Sequence, residues 1–440
     1  MDWGVNRRRG GETLAPTGVR PTLAAFTRAR NLKCAVCLTF AQNQRNEAQT
    51  VSMEIPIVKQ EHTPVMDTMG PSLRGLPVAR RIRTARDLRG YTQGETTQRM
   101  PAPITTAALS QIEAGKVQPT LGTLADLAKA LEVPLDFFFL QSAGTEVDGE
   151  PATIYFRDLR ATPARERRRA MALAMLLNDL VAAIEHEVRL PAVDLPQAPA
   201  EPGVRRETIE AIADDVRRDW HLGGEPIVHV VREIERHGIP VARLSMGHEK
   251  IDAFSVPFEH RPIVLLADDK ENNYVRSRSD SAHELGHLIM HRCRGDQDRS
   301  IEQQAHSFAA SLLFPRSAAI DELPRRLDRQ GWMRLAELKR RWGVSLASLV
   351  RRMRDLRILS EDDYRNAMKF MSARGWRKTE PGDRELGPAE APLLLERALR
   401  TIEVRNDITT EELIERASLP LADTMSLVEA TQDRRPIIEL

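Results

Sequence analysis

The stretch 281-SAHELGHLIMH-291 constrains this 440-residue chain more than any other. Its order, His283-Glu284-Leu285-Gly286-His287, is HExxH, and that spacing brings the histidines together on a helix, where residues four apart share a face. Two imidazoles then aim at one point. Zinc accepts neutral imidazole nitrogen at about 2.0–2.1 Å in a tetrahedral shell. Glu284 stands beside the first histidine. Its carboxylate can take a proton from a water that a metal has acidified toward a pKa of about 7. Ala282, Leu285, Leu288 and Ile289 suit a helix packed in a core. Gly286 costs roughly 1 kcal/mol of helix stability against alanine, which the close approach of another backbone or of a substrate would explain. The plain alternative is an amphipathic helix with two accidental histidines. Histidine is scarce, 11 in 440, and the pattern should arise by chance in about 2% of chains of this composition.

A catalytic site needs a third ligand. His291 lies eight residues beyond His283, about 12 Å along a straight helix at 1.5 Å per residue, so one ion cannot take all three histidines. Cys293, ten residues on, would require a helix break at position 290, which is methionine. The next helical pattern, 300-SIEQQAHSFAASLLFP-315, offers better donors. Ser300 with Gln303 reads as a capping box, and Ile301, Ala305, Phe308, Ala309 and Leu312 form an apolar stripe. Glu302 lies in the first turn, with His306 one turn later on the same face. A His₂Glu set leaves the fourth position open, as catalytic zinc requires. Glu302 is therefore the expected third ligand. His306 would orient a ligand from outside the shell or be the ligand itself.

Far upstream, residues 77–139 have a helix-turn-helix rhythm. Thr92 caps a first helix, where Gln93 can meet a phosphate at the helix N-terminus. The run 105-TTAALSQIEAG-115 reads as a recognition helix, with Thr105 as N-cap and Gly115 as its stop. Ala108, Leu109 and Ile112 face inward. Thr106, Ala107, Ser110 and Gln111 face outward, toward base edges. Lys116, with Arg80, Arg81, Arg83, Arg86 and Arg89, supplies local positive charge for phosphates. A helical bundle that docks a protein partner is the plain alternative.

These motifs carry two resemblances. The segment 278-RSDSAHELGHLIMH-291, followed by 302-EQQAHSFAASLLFP-315, resembles the ImmA/IrrE family of zinc metallopeptidases, over about residues 206–375. The resemblance implies that His283, His287 and Glu302 hold zinc and that Glu284 is the catalytic base. Ser279 and His306 stand where that family has Phe and Asn. The upstream segment resembles the XRE/Cro-type helix-turn-helix over about 65 residues. Here Thr96 and Thr97 replace the usual Leu-Ala, and Pro101-Ala102-Pro103 lengthens the turn. Residues 335–364 resemble a further helix-turn-helix. Their basic run, Lys339, Arg340, Arg341, Arg351, Arg352, Arg354 and Arg357, is expected to be the wet face of a helix bundle. So are Arg165, Arg167, Arg168 and Arg169. His237, His248 and His260 are assigned no role.

Charge bears on the partners. With 64 Lys and Arg against 63 Asp and Glu, the chain is no polycation, and any DNA contact must be local. Three cysteines suggest a reducing compartment, hence the cytoplasm. Cys34 and Cys37 lack the second pair that a metal site needs. The longest apolar run, 170–184, is too short to span a bilayer and is expected to be a packing helix.

The expected fold is multidomain and mainly α, with an α+β zincin-like peptidase core. That core would be a small three-stranded sheet, from runs 239–244, 251–256 and 262–267, plus the HExxH helix. The expected divisions are a disordered extension over 1–70 (with Met66 or Met69 as alternative starts) and an all-α helix-turn-helix domain over 71–140. A helical linker follows over 141–205, ending in the Pro-rich run 191–203. The peptidase core spans 206–320 and a helical C-terminal region 321–440. The expected function is a zinc-dependent endopeptidase fused to a DNA-binding domain, binding an operator and cleaving a partner repressor or its own repressor half. No membrane is involved, and a homodimer is admissible. The alternative is a non-catalytic, metal-containing transcriptional regulator of the XRE family.

Overall fold

The computed structural model describes residues 79–140, 163–201, 203–244, 253–267, 273–291 and 299–431, together with the backbone of short strands at 58–59, 146–147, 150–151 and 155–156. The expectations for Cys34, Cys37, His248, Cys293 and nearly all of 1–70 lie outside the described residues.

The N-terminal bundle comprises α1 (Ala79–Arg89), α2 (Gln93–Arg99), α3 (Thr106–Glu113), α4 (Leu121–Leu131) and a 3₁₀ turn at Leu135–Phe139. Thr92 and Glu95 form a complete capping box at the start of α2, and Thr105 caps α3 by accepting from the Ala108 amide. Ile82, Leu109, Leu127, Phe137 and Phe138 fill the centre. Thr96 and Thr97, where apolar residues would be expected, are buried as well. Their hydroxyls donate to the carbonyls of Thr92 and Gly94 at 2.9 and 3.0 Å, so neither polar group is stranded. The lengthened turn is anchored by Met100, also buried.

Helix α5 (Ala164–Glu187) lies in the same core. The buried Arg81 of α1 pairs with Asp179 of α5, its Nη2 lying 2.9 Å from Oδ1. The helix expected as part of a linker is thus a structural wall of the bundle. The Pro-rich run behaves likewise: the Ala198 and Ala200 amides donate to the carbonyls of Ile289 and Met290 at 3.2 and 3.1 Å. Proline removes donors, but the alanines between the prolines keep theirs, and the extended run uses them to tie down the end of the HExxH helix.

The C-terminal half opens with α6 (Arg206–Asp219) and α7 (Val230–Arg236). A four-stranded sheet follows, from β1 (Tyr155–Phe156), β2 (Val241–Leu244), β3 (Ala253–Val256) and β4 (Ile263–Ala267), in the order β1-β3-β4-β2. β2 runs parallel to β4, with Val241 opposite Val264; the other pairs are antiparallel. Alternation sorts the side chains. Val241, Ala253, Val264 and Leu266 join one core, while Ala242, Leu244, Phe254, Val256 and Leu265 join the other. The three apolar runs are the three strands expected. The fourth, β1, is two residues long and arises between the helix-turn-helix and α5, too short for periodicity to signal.

One sheet face carries α8 (Tyr274–Met290), and α9 (Arg299–Leu313) packs on α8 and α6. Because α9 begins at Arg299, Ser300 sits inside its first turn and is not the cap expected. Its stripe of Ile301, Ala305, Phe308, Ala309 and Leu312 is buried throughout. α10 (Arg316–Glu322), α11 (Arg329–Trp342), α12 (Leu346–Asp355) and α13 (Glu361–Ala373) extend that core. α14 (Leu394–Asn406), α15 (Thr410–Arg416) and α16 (Leu421–Thr431) belong to the opposite core, with α5 and the helix-turn-helix.

The basic run over 339–357 is only partly a wet face. Lys339 is buried and donates to Glu380 at 2.8 Å, and the buried Arg352 donates to Glu210 at 2.5 Å; Arg340, Arg341, Arg351 and Arg357 are exposed. Acids distant in sequence neutralise the two inward cations. Among the described residues no helix is long and apolar enough to cross a membrane.

Candidate metal centre

Helix α8 is buried almost throughout. Asn273 caps it by accepting from the Arg276 amide at 3.0 Å. Its buried Arg278 is neutralised by Glu390 and donates to the Ile227 carbonyl at 2.7 Å. Burial works against charge on Glu390, yet His229 and Arg278 outweigh it and hold the carboxyl below its ordinary range. The spacing of α8 against α9 is set at Gly286, where an added Cβ would come within 2.9 Å of Phe308. The close approach expected at this glycine is made by an aromatic ring.

That approach brings His283 and His287 to Glu302. The two Nε2 atoms lie 3.1 Å apart. Glu302 Oε2 is 3.3 Å from His283 Nε2, and Oε1 is 3.4 Å from His287 Nε2. One donor atom from each of the three residues lies within 4.8 Å of the others, near enough to share one ion, and the imidazole–carboxylate set suits zinc. Both imidazoles are buried, whereas the Glu302 side chain is 29% exposed, so the site opens on its side. Burial opposes charge on Glu302, but its contacts with the two imidazoles prevail and hold its carboxyl well below the usual carboxylate range.

Glu284 is buried beside the cluster, and Ser255 Oγ donates to its Oε2 at 2.8 Å. Strand alternation produces this contact: Phe254 and Val256 point into the opposite core, so Ser255 faces α8. Sequence reasoning missed Ser255. The signal available was one polar residue at an inward position of 251-IDAFSV-256. His291, dismissed as a ligand, stands behind His287, with the two Nδ1 atoms 3.1 Å apart. Its Nε2 is 2.8 Å from Gln304 Oε1, and Gln304 Nε2 donates to the Glu201 carbonyl at 2.8 Å. The His306 ring lies against His283, centroids 4.4 Å apart and the planes tilted by 49°, and it is not one of the three residues whose donor atoms converge.

On the helix-turn-helix, Thr105, Thr106, Ala107, Ser110, Gln111 and Lys116 are exposed along and after α3. Gln93 is half-buried and its amide donates to Glu113 at 2.9 Å, so in this structure it is turned inward and not toward a phosphate. Three of the arginines expected at phosphates are likewise engaged within the protein. Arg81 pairs with Asp179, Arg86 donates to Glu113 at 2.6 Å, and Arg89 donates to Asp423 at 2.7 Å. Arg83 is the more exposed, its side chain 55% accessible. A helix pattern cannot distinguish a cation facing solvent from one facing an acid of another element.

Residues 234–354 match the family model described as the IrrE N-terminal-like domain, a peptidase family, and residues 82–138 match the helix-turn-helix family model. No curated protein matches the chain. A DNA-binding helix-turn-helix domain is thus followed, in one chain, by a metallopeptidase-family domain.

Proposed function

We propose that this chain, a helix-turn-helix module joined to an IrrE-like peptidase domain, is a zinc-dependent endopeptidase that acts at DNA and relieves repression by cutting a repressor. The observation that carries this reading is the convergence of His283, His287 and Glu302, whose donor atoms lie within 4.8 Å of one another; a His₂Glu set of this kind leaves a fourth zinc position for water or substrate. When bound, zinc supplies Lewis acidity toward a carbonyl and makes water acidic enough to react near neutral pH. The chain's own residues do the rest. Glu284 takes the proton from the attacking water and returns it to the leaving amine. Ser255 fixes the direction in which that carboxylate points. The helix-turn-helix holds the peptidase near an operator, raising the effective concentration of a repressor bound there.

A metal-containing regulator without catalysis is the competing reading. A structural zinc site is closed by four protein ligands. Three converge here among the described residues, with an oriented carboxylate beside them. Metal analysis decides the first step: about one zinc per chain, lost in Glu302→Ala, is the expected result. A well-folded chain that takes up no zinc would refute the site.

One observation favours the chain itself as a substrate. β1 lies in the connection that joins the helix-turn-helix to α5, and it pairs with β3 so that Tyr155 stands opposite Ser255, the residue bonded to Glu284. An extended segment on a sheet edge beside the base has the geometry in which peptidases and peptide-binding domains take strands. Self-cleavage would sever the chain between the helix-turn-helix and α5. Incubating the zinc-loaded chain should give products cut within 141–162, at a rate independent of protein concentration and absent in Glu284→Gln. Stable full-length protein that still cuts other polypeptides would remove this route.

A further inference from the structure

The metal-site reading leaves open how His287 presents the correct nitrogen. A neutral imidazole carries one N–H and one lone pair, and only the lone pair can bind a metal. Three buried contacts behind His287 bear on the choice.

They are read from the far end inward. The Glu201 carbonyl only accepts, so the Gln304 group donating to it at 2.8 Å is the amide nitrogen. That orients Gln304 Oε1, an acceptor, toward His291 Nε2 at 2.8 Å. His291 Nε2 must then carry the hydrogen, which makes His291 Nδ1 the acceptor of a neutral ring. Across 3.1 Å it faces His287 Nδ1, which must donate. His287 Nε2 is left with its lone pair, aimed at His283 and Glu302. His287, His291 and Gln304 are all buried, so bulk water does not compete for these bonds.

We infer that His291 is a positioning residue: the relay from Glu201 through Gln304 and His291 fixes the His287 tautomer that binds metal. This rests on the metal-centre reading above. It also gives the Pro-rich run 191–203 a purpose. Its end supplies the carbonyl that orients the relay, and the Ala198 and Ala200 amides tie the same run to the last turn of α8. His291 lies too far along the helix to join His283 and His287 on one ion, yet it stands at the right place to hold one of them.

Gln304→Leu separates this role from packing, because it keeps the volume and leaves His291 in place while removing the acceptor. Zinc affinity should fall by about tenfold to a hundredfold in chelator competition, as for other partners of metal-bound histidine. Equal zinc affinity in Gln304→Leu and wild type would overturn the relay. If Gln304→Leu does not fold, ¹⁵N shifts of labelled imidazoles in the wild-type chain decide the matter. His291 should be protonated on Nε2 and not Nδ1; the opposite tautomer refutes the inference. A wild-type chain that takes up no zinc would instead refute the metal-centre reading, and the His291 tautomer in that metal-free protein would still test the relay.

Discussion

Gly286 and Phe308 meet where α8 crosses α9, and a methyl group on Gly286 would come within 2.9 Å of the Phe308 ring. That contact sets the distance between the helix carrying two histidines and the helix carrying Glu302. Gly286→Ala gains about 1 kcal/mol of helix propensity. It also forces apart a fully buried ring, and overpacking of this kind costs about 1–3 kcal/mol. The second effect should win. The variant should melt lower and hold zinc more weakly than wild type, measurable by calorimetry and chelator competition. A more stable variant with unchanged zinc affinity would show that the interhelix spacing is slack.

Ser255 tests the orientation of the base. Hydrogen bonds to charged groups contribute about 1.5–3 kcal/mol. Ser255→Ala should therefore lower kcat by about tenfold to a hundredfold, with zinc content and thermal stability close to wild type. Glu284→Gln should abolish cleavage and retain zinc. Cleavage at the wild-type rate in Ser255→Ala would remove the serine from the mechanism.

Glu235 should make stability depend on pH. It is fully buried, and burial pushes its carboxyl up to about 7, although the Leu393 and Leu394 amides donate to it. The folded state therefore holds a proton that the unfolded chain, with its ordinary carboxyl near 4.5, releases earlier. Stability from this group is full below about pH 4.5 and declines as pH rises toward about 7, by on the order of 3 kcal/mol. Glu235→Gln keeps an acceptor for both amides and does not titrate. Denaturant melts across that window should show a flatter profile for the variant, with its largest advantage above pH 7. Parallel profiles would mean that Glu235 stays charged when buried.

Two exposed residues on and after α3 should differ in how they affect DNA binding. Gln111→Ala should weaken binding at one base position by about 1–3 kcal/mol and relax specificity there. Lys116→Ala should weaken all sequences alike and reduce the salt slope by about one unit. Competition binding against an operator and its point variants, at several salt concentrations, separates them. Indifference to both changes would favour a bundle that docks protein.

Much of this protein was legible from local pattern. The HExxH spacing specified a helix with two histidines on one face. The three apolar runs gave β2, β3 and β4, and the capping threonines Thr92 and Thr105 marked the starts of α2 and α3. Each of these signals acts within a few residues, through the 3.6 and 2.0 periods of the backbone or a cap that reaches the next turn. Glu302 was reachable because α9 follows α8 closely and its first turn carries an acid.

What only the tertiary structure decided lies between residues far apart in the chain. Arg81, Arg86 and Arg89 read as phosphate contacts, yet they meet Asp179, Glu113 and Asp423. The Pro-rich run read as a linker, and its amides secure the end of α8. Ser255 reached Glu284, and Glu201 reached His287 through Gln304 and His291. A side chain's identity states what it can donate or accept, but the partner is chosen by which elements the packing of two cores brings within 3 Å.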